Sequence, residues 1–261
     1  MTKILDTFLF THEFDLLELR LRLLWPVVDK FLMMEGDHSF TNQTKPMRFN
    51  EQKERFEWAA EKLMHVQHIG KFMDGGGDLY VEHQHRQCLY DYAKLMDFAP
   101  KDILMMSDVD EIPSRDVVAQ FRKCPDFPQP FLLHQEFYYY NIKCHRGSKW
   151  RGTMAMHFGH DLGDVGEARQ HRAKMKSTDK NCGWHLAHFY DSDSIKEKLS
   201  YSSHRGYNNP KYYDKGHLKK CVEQNINYLG KGNGDKQPEP LPEYLLEEMK
   251  RFPLMMGEEW R

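Results

Sequence analysis

The sequence predicts an α/β fold: a mostly parallel central sheet flanked by helices, with an irregular C-terminal part. Two observations carry this. The first 35 residues read as strand, helix, strand, a βαβ unit that demands a parallel pair. Later, Ile103-Leu104-Met105-Met106 runs directly into Ser107-Asp108-Val109-Asp110-Glu111-Ile112-Pro113. Four apolar residues followed by three carboxylates and a proline describe a strand covered on both faces that stops at an acidic loop. The chain has 261 residues, and no internal repeat or linker divides it. One domain is expected over 1–261, with a core over roughly residues 3–205 and an extension over roughly 206–261.

The elements follow in order. Residues 3–10 alternate well enough for a first strand. Asp15 as N-cap and Glu18 three residues on form a capping box, and six leucines between 16 and 24 give the helix a broad apolar face before Pro26 ends it. Residues 27–34 make the second strand, with Glu35 at its tip. Residues 36–49 are polar and aromatic, a loop long enough to be functional. A helix over 50–63 and a strand over 65–69 lead to Asp74-Gly75-Gly76-Gly77-Asp78, a break lacking the lysine and spacing of a phosphate loop. A long helix over 78–98 ends at Pro100 and delivers the chain to the central strand. Ser114 then caps a short helix reaching Phe121, and residues 131–142 form a strand rich in aromatics, paired with 150–156 as an antiparallel hairpin. Residues 159–182 are poorly periodic, with a helix near Arg169. A late strand over 183–189, a helix over 192–203 and a final helix over 243–252 complete the chain.

Composition narrows the function. With 37 basic and 39 acidic residues the net charge is −2, so no nucleic-acid surface is expected and an anionic ligand must be held by local arrangement. Cys88, Cys124, Cys144, Cys182 and Cys221 are odd in number and scattered, which suits reduced thiols in a cytoplasmic chain. No apolar run approaches the roughly 18 residues needed to span a bilayer, and the N-terminal residues read as a strand rather than a signal peptide.

The acidic loop is the strongest site signal. Ligands of open α/β sheets gather beyond the carboxyl ends of the strands. In an extended chain Asp108 and Asp110 would share a face, and a cation between them would relieve their repulsion. All-oxygen ligation suits Mg²⁺, Mn²⁺ or Ca²⁺, and an added imidazole such as His185 or His204 suits Mn²⁺. The bland alternative is a solvated acidic turn capping the next helix. Phe137, Tyr138, Tyr139 and Tyr140 are strand filling at their simplest, and sugar-stacking faces at their most specific.

The motif Asp6-x-Phe8-x-Phe10-x-x-Glu13-x-Asp15-Leu16-Leu17-Glu18-x-Arg20-Leu21 resembles glycosyltransferase family 17. So do Val28-Asp29-x-Phe31, Glu35, Phe40-Thr41 with Lys45-Pro46, and above all residues 107–113. Trp150-Arg151-Gly152-Thr153, Gly183-Trp184-His185 and Lys198-Leu199 leading to His204 extend the resemblance over about residues 4–205. It implies a GT-A-like nucleotide-sugar fold and an inverting, metal-dependent transfer of GlcNAc from UDP-GlcNAc to a glycan hydroxyl. It also implies Mn²⁺ or Mg²⁺ as cofactor. By the same analogy Asp110 and Asp108 bind the metal, with His204 and His185 as further ligands. Glu35, Arg86, Asp108 and Trp184 fall on the nucleotide side. The catalytic base falls to Asp191 (or Asp193) or to Glu111, with Glu136 and Glu167 as rivals. Ala187 stands where a small hydroxyl residue is expected, and no counterpart of the anchor and stem of the Golgi members is expected here, so the acceptor is left open. Two other classes share the same residues. A metal-dependent hydrolase of a nucleotide-sugar or phosphoester would turn over without an acceptor. In a non-catalytic carbohydrate-binding protein, Asp108 and Asp110 would merely cap a turn.

Overall fold

The computed structural model describes residues 2–73, 79–124, 126–178, 180–201, 206, 208–230 and 238–258. Four parallel strands lie side by side in the order β3 (Leu63–His68), β2 (Lys30–Gly36), β1 (Ile4–Phe10) and β4 (Ile103–Asp108). Beyond β4 come β7 (His145–His157), antiparallel to it, and then β6 (Phe131–Tyr139), which forms the expected hairpin with β7. Beyond these lie β9 (Gly183–Ala187), parallel to β6, and β5 (Glu111–Pro113), antiparallel to β9. The short β8 (Lys176–Ser177) also pairs with β6. Strand β5 begins three residues after β4 ends, yet it lies last in the strand order. The sheet must therefore curl back towards its own middle. That curl brings the acidic loop up against β9.

Strand alternation explains the two-sided core. From β1, β2 and β4, the residues Ile4, Phe8, Phe31, Met33, Ile103 and Met105 point to one face. There they pack on α1 (Phe14–Leu24), a 3-10 segment (Phe49–Ala59) and α3 (Arg115–Phe121). Their neighbours Leu5, Leu9, Leu32, Met34, Leu104 and Met106 point the other way, onto α2 (Tyr80–Lys94) and α4 (Val165–Gln170). Burial on both faces is why β2 and β4 read as near-continuous apolar runs. The last helices pack outside this frame. α5 (Ser192–Tyr201) shares a cluster with α7 (Lys215–Glu223), which follows the short α6 (Pro210–Tyr213). From α8 (Glu243–Met249), Leu245 and Met249 close over Leu16, Leu19 and Leu23 of α1. All five cysteines are free thiols. No helix among the described residues is long and apolar enough to cross a membrane.

Two local expectations change. The capping box at the start of α1 does not form. Asp15 and Glu18 both reach out to Arg55, at 2.6 and 2.7 Å, and the N-cap position belongs to Glu13. A guanidinium with two carboxylates in reach outcompetes a backbone N–H for them. The helix expected over 50–63 is the 3-10 segment, broken at Gln52. The glycine-rich break at 74–78 lies outside the described residues.

Candidate active site

The carboxyl ends of β1, β2, β4, β6 and β9 converge on a cavity of about 390 Å³. β4 delivers Asp108 to its rim, residues 109–110 turn, and β5 carries the chain away, so both aspartates line the cavity. The turn is held from beneath by Arg20, which is wholly buried. Its guanidinium donates to Asp6 at 2.8 and 2.6 Å and to Ser107 Oγ at 2.7 Å. It also donates to the carbonyls of Asp108 and Glu111 at 2.9 and 3.0 Å. A planar five-donor fork suits this task, satisfying one buried carboxylate and several backbone oxygens together.

Each carboxylate of the loop meets at least one cation, and Arg169 serves both Asp108 and Glu111. Arg86 Nη2 donates to both oxygens of Asp108 at 2.7 and 3.0 Å, and Arg169 Nη2 donates to Oδ2 at 2.7 Å. Burial opposes ionisation of Asp108, but Arg169 and Arg86 outweigh it and hold the carboxyl at about 2. Lys198 Nζ donates to Asp110 Oδ2 at 2.8 Å, and His185 Nε2 lies 3.8 Å from Oδ1. Against the same burial penalty, Lys198 and then His185 keep Asp110 well below the usual carboxylate range. Lys198 is raised in turn, its burial offset by Asp110, Tyr190 and Glu13.

Glu111 is fully buried behind the loop. It accepts from Trp150 Nε1 at 2.6 Å, from Arg169 at 2.8 Å and from the Asp108 N–H at 3.0 Å, so it braces the arginine that faces Asp108. On the β1 side Glu13 accepts the N–H groups of Thr11 and His12, each at 3.0 Å, and stands 3.4 Å from Lys198. Strand alternation turns Phe137 and Tyr139 of β6 and His185 and Ala187 of β9 into the cavity. Phe137 stacks on His185 with ring centres 4.6 Å apart. Lys45 and His85 also line the cavity. Both are buried, and neither Lys45 Nζ nor His85 Nε2 has a hydrogen-bond partner. Burial pulls the Lys45 ammonium down and pushes His85 down to about 3.

The expected residues therefore separate. Asp108, Asp110, His185 and Arg86 meet at the cavity. Trp184 alternates to the opposite face and packs with Ile112, Tyr138 and Leu16 in the core. Glu35 is fully buried: Oε1 accepts the Arg48 and Phe49 N–H groups at 2.6 and 3.2 Å, and Oε2 lies 3.2 Å from His65. It anchors the start of the 3-10 segment. Asp191 is exposed at the start of α5 and accepts the Ser194 N–H at 2.8 Å. Asp193 pairs with Lys215, and Glu136 with His145. His204 lies outside the described residues. Among the described residues, no group of three or more His, Cys, Asp and Glu is placed to hold a metal ion.

The family model for glycosyltransferase family 17 matches residues 1–227, most of the chain and every cavity element up to α7. This chain belongs to glycosyltransferase family 17. It is similar to the β-1,4-mannosyl-glycoprotein 4-β-N-acetylglucosaminyltransferases of Rattus norvegicus and Homo sapiens, each 28% identical over 138 residues. Those segments are 51% of this chain and 26% of each relative, so the aligned region spans about a quarter of the relatives' length. Among solved structures it resembles the apo-form glycosyltransferase GlyE of Streptococcus pneumoniae TIGR4. That likeness has 10% identity and a TM-score of 0.37, over 95% of this chain and 60% of that one.

Several residues of this family 17 site have no role in the sequence reading. Glu13, Lys45, Trp150 and Lys198 fall inside motifs that carry the resemblance, but spacing alone does not say which of them face a ligand. Arg169 and Arg172 come from the least periodic stretch, where α4 and the turn after it are short. Only the arrival of α4 beside α2 reveals Arg169 as the partner of Asp108.

Proposed function

We propose that this family 17 chain transfers GlcNAc from UDP-GlcNAc to a hydroxyl of a glycan acceptor, with inversion at the sugar carbon. The observation that carries this reading is the Asp108–Asp110 turn, set at the converging strand ends over the cavity and faced by Arg86, Arg169 and Lys198. The family and the N-acetylglucosaminyltransferase activity of its relatives support the sugar and the reaction class. Ionised at neutral pH, the two aspartates hold Arg86 and Lys198 on the cavity wall where a leaving diphosphate would gather charge, which is how such a site lowers a barrier. The aromatic wall of Phe137, Tyr139 and Trp150 suits the face of a sugar ring.

A divalent ion fits part of this donor set. Asp110 Oδ1 and His185 Nε2 are 3.8 Å apart on the cavity wall, an oxygen and an imidazole of the kind Mn²⁺ accepts. Ions of this class take one or two protein ligands and complete their shell with phosphate oxygens and water. Held by Asp110 and His185, it would supply Lewis-acid stabilisation of the departing UDP. Asp108 is already committed to two arginines, so its part in the reading is to position Arg86 and Arg169.

For the base we assign Asp191. Every carboxylate lining the cavity is tied to a cation: Glu13 and Asp110 to Lys198, Glu82 to Arg86, and Asp108 to both arginines. A carboxylate held that way is a poor proton acceptor. Asp191 forms no ion pair among the described residues and stands exposed where α5 begins, outside the lining of the cavity, so in this reading it acts on an acceptor hydroxyl presented from the solvent side.

The test is titration calorimetry of UDP with and without Mn²⁺ on the wild type and on Asp110→Asn, followed by UDP release from UDP-GlcNAc with glycan acceptors. Mn²⁺-dependent UDP binding is expected, with a loss of 100-fold or more in turnover for Asp110→Asn, about 3 kcal/mol of barrier. Absence of UDP binding under both conditions would end the transferase reading. Turnover without any acceptor would favour the hydrolase.

A further inference from the structure

We infer that Lys45 binds the phosphate oxygens of the nucleotide donor, an inference that rests on reading the cavity as a nucleotide-sugar site. Of the described cations lining the cavity, Arg86 and Lys198 are each bound to carboxylates, whereas Lys45 Nζ makes no hydrogen bond at all. Its side chain is not loose on the surface, for Lys45 is only 7% exposed. A buried ammonium without a partner is strongly unfavourable, so an arrangement that keeps one is expected to serve a ligand that completes it.

The carboxylates around Lys45 do not complete it. Glu35 is taken by the Arg48 and Phe49 N–H groups and His65, and Glu13 by two N–H groups and Lys198. Glu197 is paired with Arg48, and Asp37 with His38 and the Gly70 N–H. Each acts on Lys45 only through space.

The loop before Lys45 is built to hold it in place. The Lys45 N–H donates to the Asp37 carbonyl at 2.8 Å, His38 and Thr44 form a bridge, and Ser39 Oγ accepts the Gln43 N–H at 3.1 Å. Asn42 turns the loop with φ at +57°, and its Nδ2 donates to the Phe72 carbonyl at 2.9 Å. Residues 37–45 thus form a closed tie that commits the ammonium to the cavity before any ligand arrives, the preorganisation that makes an anion site effective. On the same wall His85 offers an unpartnered Nε2, kept uncharged by its burial. One fixed positive charge therefore stands on that wall without a carboxylate, and this selects an anionic group over a neutral base or sugar.

The experiment is calorimetry of UDP, uridine and inorganic diphosphate in the presence of Mg²⁺, on the wild type, Lys45→Met and Lys45→Arg, with a melting curve for each. Lys45→Met is expected to weaken UDP and inorganic diphosphate by about 10- to 100-fold, the scale of one lost charge-assisted hydrogen bond. Uridine should be unaffected, Lys45→Arg should retain most of the affinity, and Lys45→Met should melt no lower than wild type because it relieves a buried charge. Unchanged UDP affinity in Lys45→Met would overturn the inference while leaving the donor reading intact, and so would an equal loss for uridine. Lys45-dependent binding of inorganic diphosphate without UDP binding would end the donor reading and keep the anion site. No binding of any probe to the wild type would end both. Should Lys45→Met fail to fold, Lys45→Gln carries the same comparison.

Discussion

Arg20 is the side chain on which the site's geometry depends. It lies 88 to 91 residues in sequence from the carbonyls it grips, and its partner Asp6 is equally inaccessible. Removing one member of a buried pair strands the other's charge, so Arg20→Met is expected to cost about 3–5 kcal/mol in urea unfolding. The double variant Arg20→Met/Asp6→Leu, which strands no charge, should recover part of that loss. A double variant no more stable than the single one would show that the carbonyl contacts, rather than the ion pair, carry the energy. At this scale the sequence was partly legible. Asp6 and Arg20 stand out as motif positions, but nothing in their spacing says that they meet each other.

Among the elements, β9 and its pairing with β5 decide what faces the cavity. Its two-residue period sends His185 and Ala187 inward and Trp184 and Leu186 into the core, which is why neighbours in one motif have different fates. The pairing needs close backbone approach at Gly183, where an added Cβ would lie 2.3 Å from the Ile112 carbonyl. The obstacle is backbone and cannot rotate away. Gly183→Ala is expected to destabilise the fold by about 1–3 kcal/mol, the range of overpacking, in the same unfolding assay. The Leu186 N–H also holds the Asp110 carbonyl at 2.9 Å, so UDP affinity should fall in this variant together with stability. A variant as stable as wild type would mean that β5 shifts freely and that the acidic turn is not held from this side.

For the whole molecule, the buried histidines set the response to acid. Burial lowers both His85 and His188 to about 3, from an ordinary value of 6.5. Between those limits the unfolded chain binds protons that the folded one does not. Stability is therefore full above about pH 6.5 and falls as the pH drops towards 3. The depressed Asp108 and Asp110 add a stabilising contribution that is full above about pH 4 and is lost as the pH falls towards 2 and below. Urea unfolding between pH 7 and 4 should show a declining midpoint, and His85→Gln should flatten that slope. A flat profile for the wild type would mean that these imidazoles reach solvent.

The sequence by itself determined the parallel core, because strands buried on both faces, as β2 and β4 are, leave near-continuous apolar runs. It also determined the acidic turn, because three carboxylates after such a run can only sit at a strand's end. Tertiary structure decided the partners. Whether a carboxylate faces a cavity, caps a helix or braces an arginine depends on cations arriving from distant segments, as Arg169 and Lys198 do for Asp108 and Asp110. Glu35, Glu111 and Asp191 carry the same chemical group, yet one anchors a 3-10 turn, one braces an arginine and one opens to solvent. Local spacing sets the direction of a side chain along its own strand or helix. The charge that meets it comes from the packing of the rest of the chain.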